Sequence, residues 1–189
     1  MYNRLRLWWK FEGKYYHRDF IRGVKNLWKW FSVVWKDKDW DQEHIYNILQ
    51  FKIEQQAYSI SARDIHTTAQ RTSEIMLLCA RLIQIQKEDL YGLEHLDYYE
   101  EKHKFIPTDE TRKWNAVEST IVRDDLDEYF LKYPKQFNRA IYGKIKIGES
   151  VANIEDRKSI AMFMAHDNQE RSRKLLFKII EENIEKWWD

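Results

Sequence analysis

The stretch His166-Asp-Asn-Gln-Glu-Arg-Ser-Arg-Lys174 sets nine polar residues in a row between two apolar runs. Ile160, Met162, Phe163 and Met164 precede it, and Leu175, Leu176, Phe177, Ile179, Ile180 and Ile184 follow. Apolar flanks of this kind predict one continuous helix from near Asp156 almost to Trp188, about 45 Å long at 1.5 Å per residue. On such a helix Met164, Asn168, Arg171 and Leu175 share one seam, whereas His166 and Arg173 point to the side of Phe177, Ile180 and Ile184. A polar group in an apolar seam must be satisfied, and an arginine there needs an anion or several acceptors. Arginine forks suit phosphate or carboxylate, and asparagine suits a base edge or an amide. His166, Asn168, Arg171 and Arg173 are therefore expected to line a cleft and hold a polar ligand. The competing reading is an internal network in which Asn168 and Arg171 pair with acids from another helix.

A second chemical signal lies near the N-terminus. At 100° per residue Arg18, Arg22, Lys25 and Lys29 fall within about 60° of one another, with Phe20, Val24, Leu27, Phe31, Val34 and Trp35 opposite. Cations beside Trp28 and Trp30 suit a phosphate backbone with stacked bases, or an anionic membrane surface. The plain alternative is a solvated face whose reverse is core. Trp8, Trp9, Tyr15 and Tyr16 can belong to an arm, residues 1–16, that swaps onto a second subunit, because such a set exposed on a monomer is an association hazard.

A third signal is acidic. Asp37, Asp39 and Asp41 alternate around Trp40, with His44 following, a pattern able to hold a hard cation such as Mg²⁺ but lacking the Gly and terminal Glu of a calcium loop. Asp41 also suits the N-cap of the next helix, with Glu43 in its first turn. Glu88, Asp89, Glu94 and Asp97 resemble the acidic helices of all-α nucleotide pyrophosphohydrolases, without their paired Glu-x-x-Glu and Glu-x-x-Asp spacings. Residues 124–128 read as a solvated acidic face. The sequence holds no Gly-rich phosphate loop, nucleophile elbow or Cys/His pair.

Composition says which elements must carry these groups. Nine tryptophans stand against five glycines and two prolines. Few turn-forming residues and many large side chains predict long helices packed through their tryptophans. Hydrophobic residues make up 43% and charged residues 33%, a globular profile. No apolar run is long enough for a transmembrane helix, and the N-terminus lacks the pattern of a signal peptide. Cys79 is the one cysteine, which excludes an internal disulfide and cysteine-based zinc sites, and its apolar neighbours predict a buried, inert thiol in a reducing cytoplasm. Net charge is +1, yet residues 1–36 hold nine Lys/Arg against Glu12 and Asp19, a net of +7, so the other 153 residues carry −6. That asymmetry fits an anionic partner or complementary packing within a dimer, and the small total argues against a general DNA-coating protein.

The expected fold is all-α: a single domain over residues 1–189, an antiparallel bundle of five to seven helices closed by the long C-terminal one. Helices are expected over residues 18–35, 41–58, 63–86 and 87–103, with a joint at 59–64, and over 108–133 through Trp114, Val117, Ile121, Leu126, Tyr129 and Phe130. Residues 142–148, Tyr-Gly-Lys-Ile-Lys-Ile-Gly, alternate well enough for a short strand or hairpin arm.

Three stretches together carry a resemblance: Trp30-Phe-Ser-Val-Val-Trp35 running into Asp37-Lys-Asp-Trp-Asp41; Phe51-Lys-Ile-Glu54; and His166-Asp-Asn-Gln-Glu-Arg171 leading to Leu175-Leu-Phe-Lys178 and Trp187-Trp-Asp189. The combination resembles a group of uncharacterised proteins encoded by tailed bacteriophages and spans most of the chain. That family has no assigned activity, so no catalytic residue carries over. The resemblance implies an accessory protein acting in the host cytoplasm, of the kind that blocks host defences, some by sequestering nucleotide signals.

The leading expectation is thus a non-enzymatic helical protein without cofactor that binds an anionic ligand or partner, such as a nucleotide signal, at the Asn168–Arg171 cleft. One alternative is a metal-dependent nucleotide hydrolase holding Mg²⁺ through Asp39 and Asp41. The other is a structural or protein-binding module whose basic aromatic N-terminus mates with a host or virion protein, or with a second copy of the chain.

Overall fold

A computed structural model describes residues 2–36, 42–63, 67–107 and 115–187. The chain divides into two compact units, Met1–Lys52 and Ile53–Asp189. Asp37, Asp39, Asp41 and Trp40, with Trp114 and Trp188, lie outside the described residues.

In the first unit α1 (Tyr2–Trp8) leads through a π-helical turn (Trp9–Gly13) into α2 (Lys14–Val34). Amphipathic spacing and good helix formers carry α2 through more than five turns. Among the described residues, Trp30 of α2 meets Phe51 of α3 (Gln42–Arg63) edge-on at 4.8 Å. α3 runs unbroken through residues 59–63, where a joint was expected. Its polar residues Ser59, Ser61 and Arg63 are tolerated because Ile53, Ala57 and Ile60 keep a buried stripe at three-four spacing.

The second unit is built on α8 (Arg157–Asn183), the expected continuous helix. Asp156 caps it, its carboxylate accepting from the Lys158 amide at 3.0 Å, and no Gly or Pro interrupts it. At its C-terminal end a 3₁₀ turn, Ile184–Trp187, buries Trp187, whose carbonyl accepts from Gln56 at 3.3 Å. α4 (Ala69–Lys87), α5 (Leu90–Leu93), α6 (Leu126–Lys132) and α7 (Pro134–Ile141, with its proline in the first turn) all pack against α8. The core joins Leu126, Tyr129 and Phe130 of α6, Ala140 of α7 and Ile160, Ala161, Phe163 and Met164 of α8. Its rings interlock, Tyr129 against Tyr98 and Tyr133 at 5.4 Å each and Phe130 on Phe137 at 4.6 Å.

The protein is mostly helical but not all-α. Where helices were expected over residues 87–103 and 108–133, strands β1 (Tyr99–Pro107) and β2 (Asn115–Asp124) pair antiparallel from Tyr99↔Asp124 to Pro107↔Asn115, with a bulge at Glu100/Glu101. The physical reason is legible in β2: Val117, Thr120, Ile121 and Val122 are β-branched and fit a pleated surface better than a helix. Opposed charges at Lys104↔Glu118 and Glu100↔Arg123 reinforce the pairing. The expected arm near 142–148 is a miniature hairpin of β3 (Lys146–Ile147) and β4 (Ser150–Val151), turned by Gly148 at φ 61°, where a side chain would be strained.

Tryptophan packing is the larger correction. Of the described tryptophans only Trp187 is buried; Trp8, Trp9, Trp28 and Trp35 are exposed and Trp30 is half-buried. Aliphatic, methionine and tyrosine side chains fill the core instead. Cys79 is fully buried in α4, and burial pushes its thiol up to about 11. The native protein should therefore resist thiol reagents at mildly alkaline pH and react at once in denaturant, measured by absorbance of the released chromophore. Rapid labelling of the native state would mean that α4 opens locally.

Candidate ligand site

The polar middle of α8 divides by helical phase. Asp167, Asn168 and Ser172 are buried, Gln169 and Glu170 half-buried, and His166, Arg171, Arg173 and Lys174 exposed. Gln169 ties α8 to its neighbours: its amide nitrogen donates to the Ile85 carbonyl at 3.3 Å and its oxygen accepts from the Tyr91 amide at 3.3 Å. Gln86 of α4 donates to the Ser172 hydroxyl at 3.1 Å. These bonds fix the stripe of α8 that carries the site.

That stripe borders a cavity of about 350 Å³ lined by Leu82, Tyr91, Tyr133, Gln136, Asn168, Arg171, Ser172 and Leu175. Five elements contribute: α4, α5, the α6–α7 junction, α7 and α8. Glu94 fixes the Tyr133 ring, accepting from its hydroxyl at 2.8 and 3.1 Å while also holding the Lys132 ammonium. Burial first, and then the bond to Glu94, raise the Tyr133 phenol above its ordinary range, so it remains a neutral donor.

Asn168 is the anomaly of the wall. It is 8% exposed, and its amide nitrogen has no hydrogen-bond partner. The amide lies beside Tyr129, whose phenol is raised by burial and by the Glu94 charge and lowered by hydrogen bonding toward Asn168. The two buried groups thus face each other without completing a well-formed hydrogen bond. A buried donor without an acceptor costs about 1–3 kcal/mol, and native structures hold few of them.

Charge enters through Arg171, whose side chain is 53% exposed. It lies 3.9 Å from Asp167, whose buried carboxylate is held closer, at 3.1 Å, by Arg139 of α7. The expected internal network is thus inverted: the acid sits on α8 itself, and the other helix brings a second arginine. Arg171 shares its acid and is one of the residues that line the cavity.

The four residues expected at the cleft therefore separate. Asn168 and Arg171 line the cavity; His166 and Arg173 do not, and Arg173 pairs with Glu170 at 3.8 Å. Tyr91, Tyr133 and Gln136 went unnoticed in the sequence, because only helix neighbour order brings them to Asn168. Arg18, Arg22, Lys25 and Lys29 lie on exposed α2, in the other unit. The metal candidates Asp39 and Asp41 fall outside the described residues, and among those described no group of three or more His, Cys, Asp or Glu is arranged to hold a metal ion. Of the remaining acids, Glu94 serves Tyr133 and Lys132, while Asp124, Asp125, Asp127 and Glu128 form the expected solvated face, where Asp124 and Asp127 meet Arg157 at 3.5 and 3.0 Å.

The chain matches no protein-family model, no curated protein and no solved structure. The functional reading therefore stands on the geometry of this site.

Proposed function

We propose that the protein binds, without turning over, a small anionic molecule bearing a planar ring, a nucleotide by chemical class, in the cavity between α8 and α4–α7. The observation that carries this is the cavity itself, which Arg171 and Asn168 line together with Tyr91 and Tyr133. A phosphate or carboxylate would meet the Arg171 guanidinium. Tyr91 and Tyr133 offer ring faces for a base, Gln136 a second amide for its edge, and Leu82 and Leu175 apolar contact. The volume lies at the small end for ligand pockets and suits a single nucleotide rather than a polymer. In the setting the sequence resemblance implies, such a protein sequesters a nucleotide signal in a phage-infected host.

Calorimetric titration with nucleoside monophosphates and cyclic nucleotides, beside their uncharged nucleosides, tests this. Saturable binding of a phosphorylated member and none of its nucleoside is expected. No heat with any of them sinks the nucleotide reading. Arg171→Ala should weaken that binding by about tenfold, one charge-assisted contact. Its melting temperature should hardly change, because a half-exposed ion pair contributes little and Asp167 keeps Arg139. Early melting of Arg171→Ala without ligand would make the arginine a structural group instead.

A further inference from the structure

The tryptophans that failed to pack are ordered. Along α2, Tyr16, Phe20, Val24, Leu27, Trp28, Phe31 and Val34, with Trp35 just beyond it, fall within an arc of about 120° at 100° per residue. Every one of them is exposed, Leu27 by 74%, Trp28 by 82% and Trp35 by 75%. Phe31 lies between Trp28 at 6.3 Å and Trp35 at 5.1 Å, so the C-terminal end of the face is a run of contacting rings within an apolar stripe about 30 Å long, the span of α2. Arg18, Arg22, Lys25 and Lys29 occupy the opposing arc, and α2 contains one acid, Asp19, already paired with Arg22 at 3.6 Å.

We propose that α2 lies flat on an anionic lipid surface, its aromatic arc sunk into the headgroup boundary and its basic arc on the aqueous side, within a Debye length of the lipid charge. Three features select this occupant. The helix combines a wide apolar face with a cationic one, the pattern of helices that lie in a membrane interface, and its tryptophans are the residues that favour that depth. The net +7 of residues 1–36 complements anionic headgroups over the reach of the Debye length. No described helix is long and apolar enough to cross a membrane, so the contact is peripheral.

The other occupants fit less well. A nucleic-acid strand needs cations and stacking rings on one side, whereas here they lie on opposite sides of the helix. A second α2 laid apolar arc to apolar arc finds no acidic flank, since Asp19 is its only carboxylate, and so gains none of the charge pairing that specifies helix dimers.

The test is co-sedimentation of the full chain with phosphatidylcholine vesicles, plain or containing phosphatidylserine, at low and high salt. Binding is expected to phosphatidylserine vesicles at low salt, with the bound fraction falling as salt rises. Leu27→Asp with Phe31→Asp should reduce partitioning by about tenfold or more, since each places a charge where apolar surface would be buried. Arg18→Glu with Lys25→Glu should abolish the preference for phosphatidylserine. All four positions are exposed, so circular dichroism should show unchanged helicity. No sedimentation with either vesicle overturns the proposal. So does a self-associated species that Leu27→Asp dissolves while vesicle binding stays absent, and so does capture of single-stranded RNA in place of vesicles.

Discussion

Leu176→Ala is expected to lower the melting temperature by about 6–12 °C, while Leu175→Ala one position away changes it little. Leu176 is fully buried on α8, whereas Leu175 is 47% exposed at the cavity. Truncating a buried leucine removes its transfer free energy and leaves a void the neighbours only partly fill, about 3 kcal/mol in total. For a chain of this size each kcal/mol shifts the midpoint by about 2–4 °C. α4, which packs on α8, contributes the fully buried Met76, Cys79 and Ile83, and Leu82 of α4 lines the cavity. Scanning both variants by circular dichroism decides the matter. Equal shifts would mean that the burial of α8 differs in solution.

Asn168→Leu is expected to separate binding from stability. The substitution replaces a buried donor that has no acceptor by an apolar side chain of similar shape. Folding should therefore be unharmed or favoured by about 1 kcal/mol, because an unmet desolvation cost disappears. Ligand affinity should fall by about tenfold or more, because a polar residue of the cavity wall is replaced by carbon. Tyr129→Phe is the companion variant: its hydroxyl adjoins Asn168, but Tyr129 is not among the cavity residues. It should leave binding intact. Should Asn168→Leu melt early and bind normally, the asparagine would belong to the scaffold rather than the site.

Sequence pattern reached the mostly helical character and the long C-terminal helix. Of the seam read from helical phase, Met164 and Asn168 are buried while Arg171 and Leu175 are exposed, and His166 and Arg173, also expected at the cleft, lie away from it. Nothing local could say that Tyr91, Tyr133 and Gln136 face that seam, since their approach depends on which helices become neighbours. The missed strands have a different cause. Val117 and Ile121 are four apart, a spacing that puts residues on one face of a helix and equally on one face of a strand. The β-branched neighbours Thr120 and Val122 were the better guide. Tryptophan content misled for a third reason. Burial of large rings is a tendency of isolated folded chains, and an amphipathic helix awaiting a surface breaks it without any change in composition.

The β1–β2 ribbon has a consequence for how this protein survives crowding. Phe105, Val117 and Ile121 are exposed on it, and a two-stranded ribbon presents outward-facing peptide groups to which a neighbouring molecule could add a strand. Glu100, Glu101, Lys102, Lys104 and Glu118 are spaced along the same ribbon. In many registers an incoming copy would bring some of these charges against their like, away from water. The residues that hold the hairpin closed thus also narrow the ways in which another strand could add to it.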